Sequence, residues 1–569
     1  MRIELSARDW LWNAGVAGLY GILENAGDKV EAGDMCIAFD SEALDGLEIK
    51  FFDFLNEKYR NILPFQKMLK KKGMLDLYKS IGKLEKKEIE LLNESIELFS
   101  RKAASSSFSS AYPHMGEGTE EKIRTILKKL KKVKPKTSPE EIREKIKLME
   151  ELLGILDQKV QGKHFIAAKD VAYNVVNRAW DNITFFHASK MKKDIFECYK
   201  DFFITPAKKY IEKLEKGEIK DDFTCDLTSY PAEYNRELSL YFMIGAGYDV
   251  KRKTSNSWNY INQMIVSELA LLVYSCVPAG FTYFGDNGIF INASSNINEM
   301  IRVNSVAAYK ILSEDDSGGQ HDIMNAVVDA VNDYRYEASD IQVIRMKDRK
   351  YNFLLLPQAL VKVLVMNREK LNFLKSKWYR SSGKGKSEKE KAKRNIYGDV
   401  ISCLVEERNL QALLLELIKS KVYEDSGNFY SAELLKILEI ILTLKKKKKG
   451  KNMAENENET KALYYIRRKG IEFRKKYIAT TGNENKFRSL LYRLSEDLRA
   501  ENVKGFFDEV ISSHLYINDE IDPSLLKMLS GKEEFLSIAY SFMAGMLGES
   551  KNRNEEKDDE GEKDEKDGE

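Results

Sequence analysis

His321-Asp322 is the pair in this chain whose chemistry would be that of a metal phosphohydrolase, a histidine and a carboxylate side by side on a divalent cation. Such a site needs further histidines and carboxylates to complete its ligand set. The chain has 5 histidines in all, and after Gly318-Gly319 the pair equally suits a helix cap. A metal-dependent nuclease centred on His321 and Asp322 is therefore one alternative reading, and a purely structural helical scaffold is another. Gly383-Lys384-Gly385-Lys386 resembles half a phosphate-binding loop, but no strand pattern precedes it and no Ser or Thr follows in register. No His-Glu-x-x-His or Gly-x-Ser-x-Gly is present. With no complete catalytic set, the expectation is a protein that is not an enzyme, with no catalytic residues, no cofactor and no metal.

Nucleic-acid chemistry is better represented. Lys251-Arg252-Lys253-Thr254-Ser255-Asn256-Ser257-Trp258 joins three cations, small polar donors and an indole in one loop. Cations and hydroxyls suit phosphate oxygens, and Trp258 either stacks on a base or packs into the core. Asn292 and Asn296 follow a hairpin, with Arg302 on the next helix; asparagines read base edges but also cap and turn. Lys375, Lys377, Arg380, Lys384 and Lys386 belong to a run that would track phosphates without reading sequence. Arg467, Arg468 and Lys469, followed by Arg474, Lys475 and Lys476, form a further cationic row.

These residues need elements to hold them. Lys plus Arg is 92 against 90 Asp plus Glu, a net charge of +2 that by itself favours no partner. The 5 cysteines are scattered, which suits a reducing cytoplasm rather than a disulfide framework. The 569 residues allow several domains. The patterns predict an α+β chain, predominantly helical: a mixed α/β region over 1–104, a helical region over 119–219, and a central mixed region over 220–374 with a hairpin at 281–291. A flexible basic loop over 375–398, helices over 399–444, a helical bundle over 453–548 and a disordered acidic tail over 549–569 complete the order. Asp9 to Glu24 is apolar all round and predicts a buried helix. Gly15, Gly18 and Gly21 weaken that helix, so they mark a face where a backbone or a ligand comes close. Charged residues precede this run and no small-residue cleavage site follows, unlike a secretory signal. A short hairpin is expected over Lys29–Phe39, then an amphipathic helix opening at Ser41, with Ser105–Gly118 a loop or hinge and Ser138-Pro139 a helix start.

The order of the "DWLWNAGVAGLYGILE" helix, a hairpin and an aromatic-rich helix resembles the N-terminus of the large subunit of the type I-B CRISPR interference complex, Cascade, in its CXXC-CXXC branch. The segment "LALLVYSCVPAGFTYFGDNGIFINASSNINEMIRVNS", Leu269 to Ser305, is similar to that family's central block. The resemblance implies a non-catalytic subunit at the 5′ end of the guide RNA, beside the handle-binding and backbone subunits. It implies recognition of the protospacer-adjacent motif in double-stranded DNA, help in opening the duplex into an R-loop, contact with the displaced strand, and recruitment of a helicase-nuclease. Two Cys-x-x-Cys pairs would bind zinc in that branch, but here one place reads Cys225-Asp226-Leu227-Thr228 and the other offers only Cys276. The zinc site reads as lost.

The resemblance also implies a small subunit made by internal initiation. Lys449-Gly450 must be encoded AAR-GGN, which contains the partial ribosome-binding sequence AAGG at a workable spacing from Met453. A C-terminally tagged gene is expected to yield a second, short product that disappears when the Met453 codon is made non-initiating; a single full-length band would reject this start.

Overall fold

The chain is 68% helical with small antiparallel sheets, a predominantly helical α+β protein. The computed structural model describes all residues except 81–83, 135–136, 181–191, 220–222, 234–241, 243–264, 286, 294–295, 314–340, 348–349, 381–392, 425–426, 450–455 and 549–569. It divides into two compact units, Met1–Gln358 and Ala359–Glu569.

The first unit is organised around α1 (Trp10–Asn25). Asp9 caps it, its carboxylate accepting from the N–H groups of Leu11 at 2.9 Å and Trp12 at 3.2 Å. Trp12 is fully buried, with its indole N–H donating to Ser6 O at 2.8 Å. The glycine face meets a backbone. A Cβ at Gly15 would lie 2.6 Å from Val273 O, and one at Gly18 would lie 2.1 Å from Cys276 O. In return, a Cβ at Gly280 would lie 2.0 Å from Ala14 O, so the two chain segments touch main chain to main chain.

Strand β1 (Arg2–Ser6) pairs antiparallel with β3 (Cys36–Asp40), which pairs with β2 (Val30–Ala32). The β2–β3 hairpin was expected; β1 was not, although Ile3 and Leu5 alternate with polar residues and are the strand's buried positions. The helix expected from Ser41 is broken in two. A 3₁₀ turn covers Ser41–Leu44, and Gly46, at φ 67°, opens α2 (Leu47–Lys58). Pro64–Lys70 forms α3. Ser138 caps the helix Pro139–Leu156 as expected, accepting from Glu141 N–H at 3.3 Å. The segment expected to be a hinge, Ser105–Gly118, is instead packed, with Phe108, Ala111, Tyr112 and Met115 buried. Its serines bond the neighbouring backbone, which hides them in the core.

Strands β4 (Phe223–Thr224) and β5 (Pro231–Ala232) make a small ribbon before α4 (Glu268–Ser275). The expected hairpin is β6 (Thr282–Phe284) and β7 (Asn287–Asn292), paired from Thr282 with Ile289 to Phe284 with Asn287. It is half of a larger sheet, because β8 (Ile341–Lys347) and β9 (Lys350–Leu356) extend it in the order β6-β7-β8-β9. Between β7 and β8 lies α5 (Ile297–Ser313). Trp10 packs on this sheet through Phe281, Tyr351 and Phe353, with ring centroids 5.0 to 6.4 Å apart.

The second unit opens with short helices and a two-stranded ribbon, β10 (Trp378–Arg380) with β11 (Lys393–Asn395). It continues through α6 (Leu410–Glu424), α7 (Ser431–Lys449), α8 (Asn456–Thr481), α9 (Glu484–Arg499) and α10 (Lys532–Met546). Glycines again allow close packing, here of α8 on α10: a Cβ at Gly545 would lie 2.0 Å from Arg467 O, and one at Gly470 would lie 2.3 Å from Phe542 O.

Candidate nucleic-acid interface

The expected flexible basic loop has a folded base. Trp378 pairs with Asn395, Tyr379 with Arg394 and Arg380 with Lys393. Residues directly opposite in an antiparallel pair share a face. One face therefore carries Tyr379, whose ring is fully buried, whose hydroxyl donates to Asp399 at 3.0 Å, and which has Arg394 over it at 5.7 Å. Burial beside Asp399 raises the Tyr379 hydroxyl far above its ordinary range, so it stays a donor. The other face carries Trp378, Arg380 and Lys393, with the Lys393 ammonium 4.5 Å from the indole centroid.

The ribbon's cations divide by face. Lys377 is bound 2.7 Å from the buried Glu433, and Arg394 lies 2.6 Å from Asp399 and 3.6 Å from Glu416. Lys375 lies over the Tyr397 ring. Arg380 and Lys393 are exposed, and neither has an ion-pair partner among the described residues. Like charges directly opposite destabilise a ribbon. A bound anion removes that penalty, and the adjacent indole offers a stacking surface. Lys384 and Lys386 lie outside the described residues, as do Lys251, Arg252, Lys253, Trp258, His321, Asp322 and Met453.

The structure gives the remaining expected contacts partners within the protein, and it corrects the two asparagines. Asn292 is buried; its Oδ1 accepts from Asn13 at 2.9 Å and its Nδ2 donates to Gln342 at 3.2 Å. It ties α1 to the sheet and presents no amide to a base. Asn296 is likewise buried, donating to Asp34 Oδ1 at 2.6 Å and accepting from Glu299 N–H at the start of α5. Arg302 is paired to Glu299 at 2.8 Å on its own helix. On α8, Arg467 donates to Ser431 at 2.6 Å, and Lys469 sits between Glu472 at 3.0 Å and Asp522 at 3.6 Å. Arg468 rests over Tyr465 with Glu472 at 3.7 Å. The α8 row is thus largely matched by the bundle's own carboxylates and hydroxyls.

Cys225 and Cys276 sit at opposite ends of α4. The Cys225 sulfur accepts from Ser267 N–H, the α4 cap, at 3.3 Å and from Thr228 N–H at 3.5 Å. Cys276 follows the last residue of α4, is fully buried, and has its thiol pushed up to about 12 by burial. Cys225 is held at the N-cap of α4, whereas the Cys276 thiol turns back to Leu272 O at 3.5 Å near its C-terminal end, so each sulfur is occupied by its own polar neighbours. No group of three His, Cys, Asp or Glu able to hold a metal occurs among the described residues. Elemental analysis of the purified protein is expected to give far less than one zinc per chain; a stoichiometric zinc would overturn the reading of a lost site.

Sequence reasoning missed Lys58. Its ammonium, at the end of α2, donates to Ala279 O at 2.7 Å and Phe281 O at 2.8 Å and lies 5.9 Å from the Phe54 centroid. It lines a cavity of about 430 Å³ between α1, α2 and α5, and desolvation pushes it down to about 7. Its donors are committed to the carbonyls that follow α4, so it fastens the central block to the N-terminal one.

The chain matches no family model, no curated protein and no solved structure. Among the described residues no helix is long and apolar enough to cross a membrane.

Proposed function

We propose that this chain is the non-catalytic large subunit of a type I-B RNA-guided surveillance complex. In that role it recognises the protospacer-adjacent motif, helps to open the duplex, steadies the displaced strand and recruits the helicase-nuclease. The observation that carries the reading is the fit between the two blocks on which the resemblance stands. The helix Trp10–Asn25 and the segment Val273–Gly280 are in main-chain contact through Gly15, Gly18 and Gly280, so they are one packing unit rather than two separate likenesses. The outward face of the β10–β11 ribbon supports the nucleic-acid part. It offers an indole and two cations that have no ion pair among the described residues, which give affinity for phosphates while guide pairing supplies sequence specificity.

The test is a guide-loaded complex assembled with and without this chain and offered target duplex with and without the adjacent motif. Motif-dependent binding that needs the chain is the expected result. Within that complex, Arg380→Gln with Lys393→Gln should weaken target binding and flatten the salt dependence by about 2 in the logarithmic slope, as two fewer counterions are released. Neutralising Lys251, Arg252 and Lys253 together should cost most on motif-bearing targets if those residues read the motif. Binding that is indifferent to the chain would overturn the proposal. So would Mg²⁺- or Mn²⁺-dependent cutting by the purified protein that is lost in His321→Ala.

A further inference from the structure

We infer that the turn joining the helices Thr119–Lys129 and Pro139–Leu156 binds the phosphate backbone of nucleic acid through Lys128, Lys129, Lys131 and Lys134. Residues 128–134 hold five lysines in seven positions and no carboxylate. One of the five, Lys132, is matched by Glu97 of the helix Lys86–Ala103 at 2.7 Å and contributes no excess charge. The other four are exposed and have no ion pair among the described residues. The facing helix adds a cation instead of a carboxylate: Lys145 donates to Lys129 O at 3.1 Å.

The four lysines stand on a backbone that is fixed from beneath. Leu130 and Val133 are buried. Asn93 bonds Val133 twice, accepting from its N–H at 2.7 Å and donating to its carbonyl at 2.8 Å. On the far side, Lys134 N–H donates to Thr137 Oγ1 at 2.9 Å, and Ser138 caps the next helix. A backbone held in this way needs less ordering on binding than a free loop does.

Helix electrostatics accounts for only part of the cluster. Lys128 and Lys129 lie in the last turn of their helix, where cations suit the negative end of its dipole. Lys131 and Lys134 lie beyond the helix, and the dipole effect falls off within that last turn. Four unpaired ammoniums gathered in one turn repel one another, and a polyanion laid across them reverses the sign.

The class of partner follows from the side chains around them. Among the described residues between Thr119 and Leu156 no large apolar side chain is exposed, so nothing would enter a lipid surface or anchor a protein interface. The same stretch has no aromatic residue to stack on a base. Lysine point charges without stacking partners suit phosphates that are held without reading sequence. The turn belongs to the first unit and shares no residue with the β10–β11 ribbon, so it stands apart from the surveillance-complex reading.

The experiment is fluorescence anisotropy of the full-length protein with a labelled DNA duplex of arbitrary sequence and with labelled oligothymidylate, each over a range of salt. Wild type is compared with Lys128→Gln/Lys129→Gln/Lys131→Gln/Lys134→Gln, whose side chains are exposed and leave the core intact. A control, Lys72→Gln/Lys216→Gln/Lys504→Gln/Lys527→Gln, removes the same charge from exposed positions elsewhere. The expected result is an affinity at least about tenfold lower, with the logarithmic salt slope on the duplex flattened by about 3 to 4, in the first variant and not in the control. Given that result, the more tightly bound probe shows whether the partner is a duplex or a single strand. Equal losses in the two variants would reduce the effect to net charge and overturn the site. So would absence of binding by wild type, binding unchanged in the first variant, or tighter binding of equimolar phosphatidylcholine–phosphatidylserine vesicles than of either nucleic acid.

Discussion

Replacing Gly18 by alanine is expected to destabilise the first unit by about 3 kcal/mol or more, although the same change in an open helix stabilises. The sign is set by position. Alanine gains up to about 1 kcal/mol over glycine in a helix interior, through propensity and through the unfolded chain. At Gly18 the new methyl would sit 2.1 Å from Cys276 O and 2.8 Å from Gly280 N. Both are main-chain atoms, so no rotamer change relieves the overlap. Either α1 moves off the Val273–Gly280 segment or that segment deforms, and overpacking of a tight core typically costs 1 to 3 kcal/mol and sometimes more. Gly154, in the helix Pro139–Leu156, is the control: it is exposed and nothing lies within 4 Å of its built Cβ. Gly154→Ala should raise the denaturation midpoint and Gly18→Ala should lower it, both followed by tryptophan fluorescence. Trp10, Trp12, Trp180 and Trp258, four of the 5 tryptophans, belong to this unit. A neutral or stabilising Gly18→Ala would mean that the main-chain contact is not what joins the two blocks.

The same helix shows what could be read without coordinates. Its all-round apolarity and its glycine spacing pointed to burial with a backbone or a ligand close by, because both are local properties of sixteen residues. Period-two and turn signals likewise located β2, β3, β6 and β7. What escaped was set by distant partners. β8 and β9 complete the sheet from residues some fifty positions beyond β7, and the Asn292–Gln342 bond depends on that register. Asn292 and Asn296 carry the residue type of a base reader and the surroundings of a structural tie. In the 467–476 row, sequence revealed cations but not which of them would meet a carboxylate. Lys469 and Lys476 do, whereas Lys475 faces a cavity whose other walls come from Lys421 and Arg488, far apart in the chain. Composition gives the number of charges; only the fold gives their pairing.

A buried carboxylate gives the second large effect, as a dependence on pH. Asp170 is almost fully buried. Its Oδ2 accepts from Phe65 N–H at 2.8 Å, and its Oδ1 accepts from Asn174 Nδ2 at 2.8 Å. It thereby caps α3, whose own preceding residue Leu63 has no side chain able to do so. Desolvation raises its carboxyl to about 6, against the lowering influence of the Phe65 N–H, Lys102 and Asn174. The unfolded value is the ordinary 3.8, so between the two the folded chain holds more protons than the unfolded one. Stability from this group is therefore fully present below pH 4 and is lost as pH rises through 6, by about 3 kcal/mol for a two-unit shift. Asp170→Asn keeps an oxygen for the Phe65 N–H and carries no charge; its amide nitrogen takes the place of the oxygen that accepts from Asn174, whose own amide turns over to accept from it. The variant should match wild type near pH 4, exceed its stability by up to about 3 kcal/mol at pH 8, and lack this component of the slope between. Asp170→Ala should be less stable than wild type throughout, since it leaves the Phe65 N–H and Asn174 without their acceptor. Denaturant unfolding of the three proteins at pH 4, 6 and 8 measures all of this. An Asn variant weaker than wild type at pH 8 would mean that the ionised carboxylate, held by the α3 N-terminus and Lys102, is the stabilising form after all.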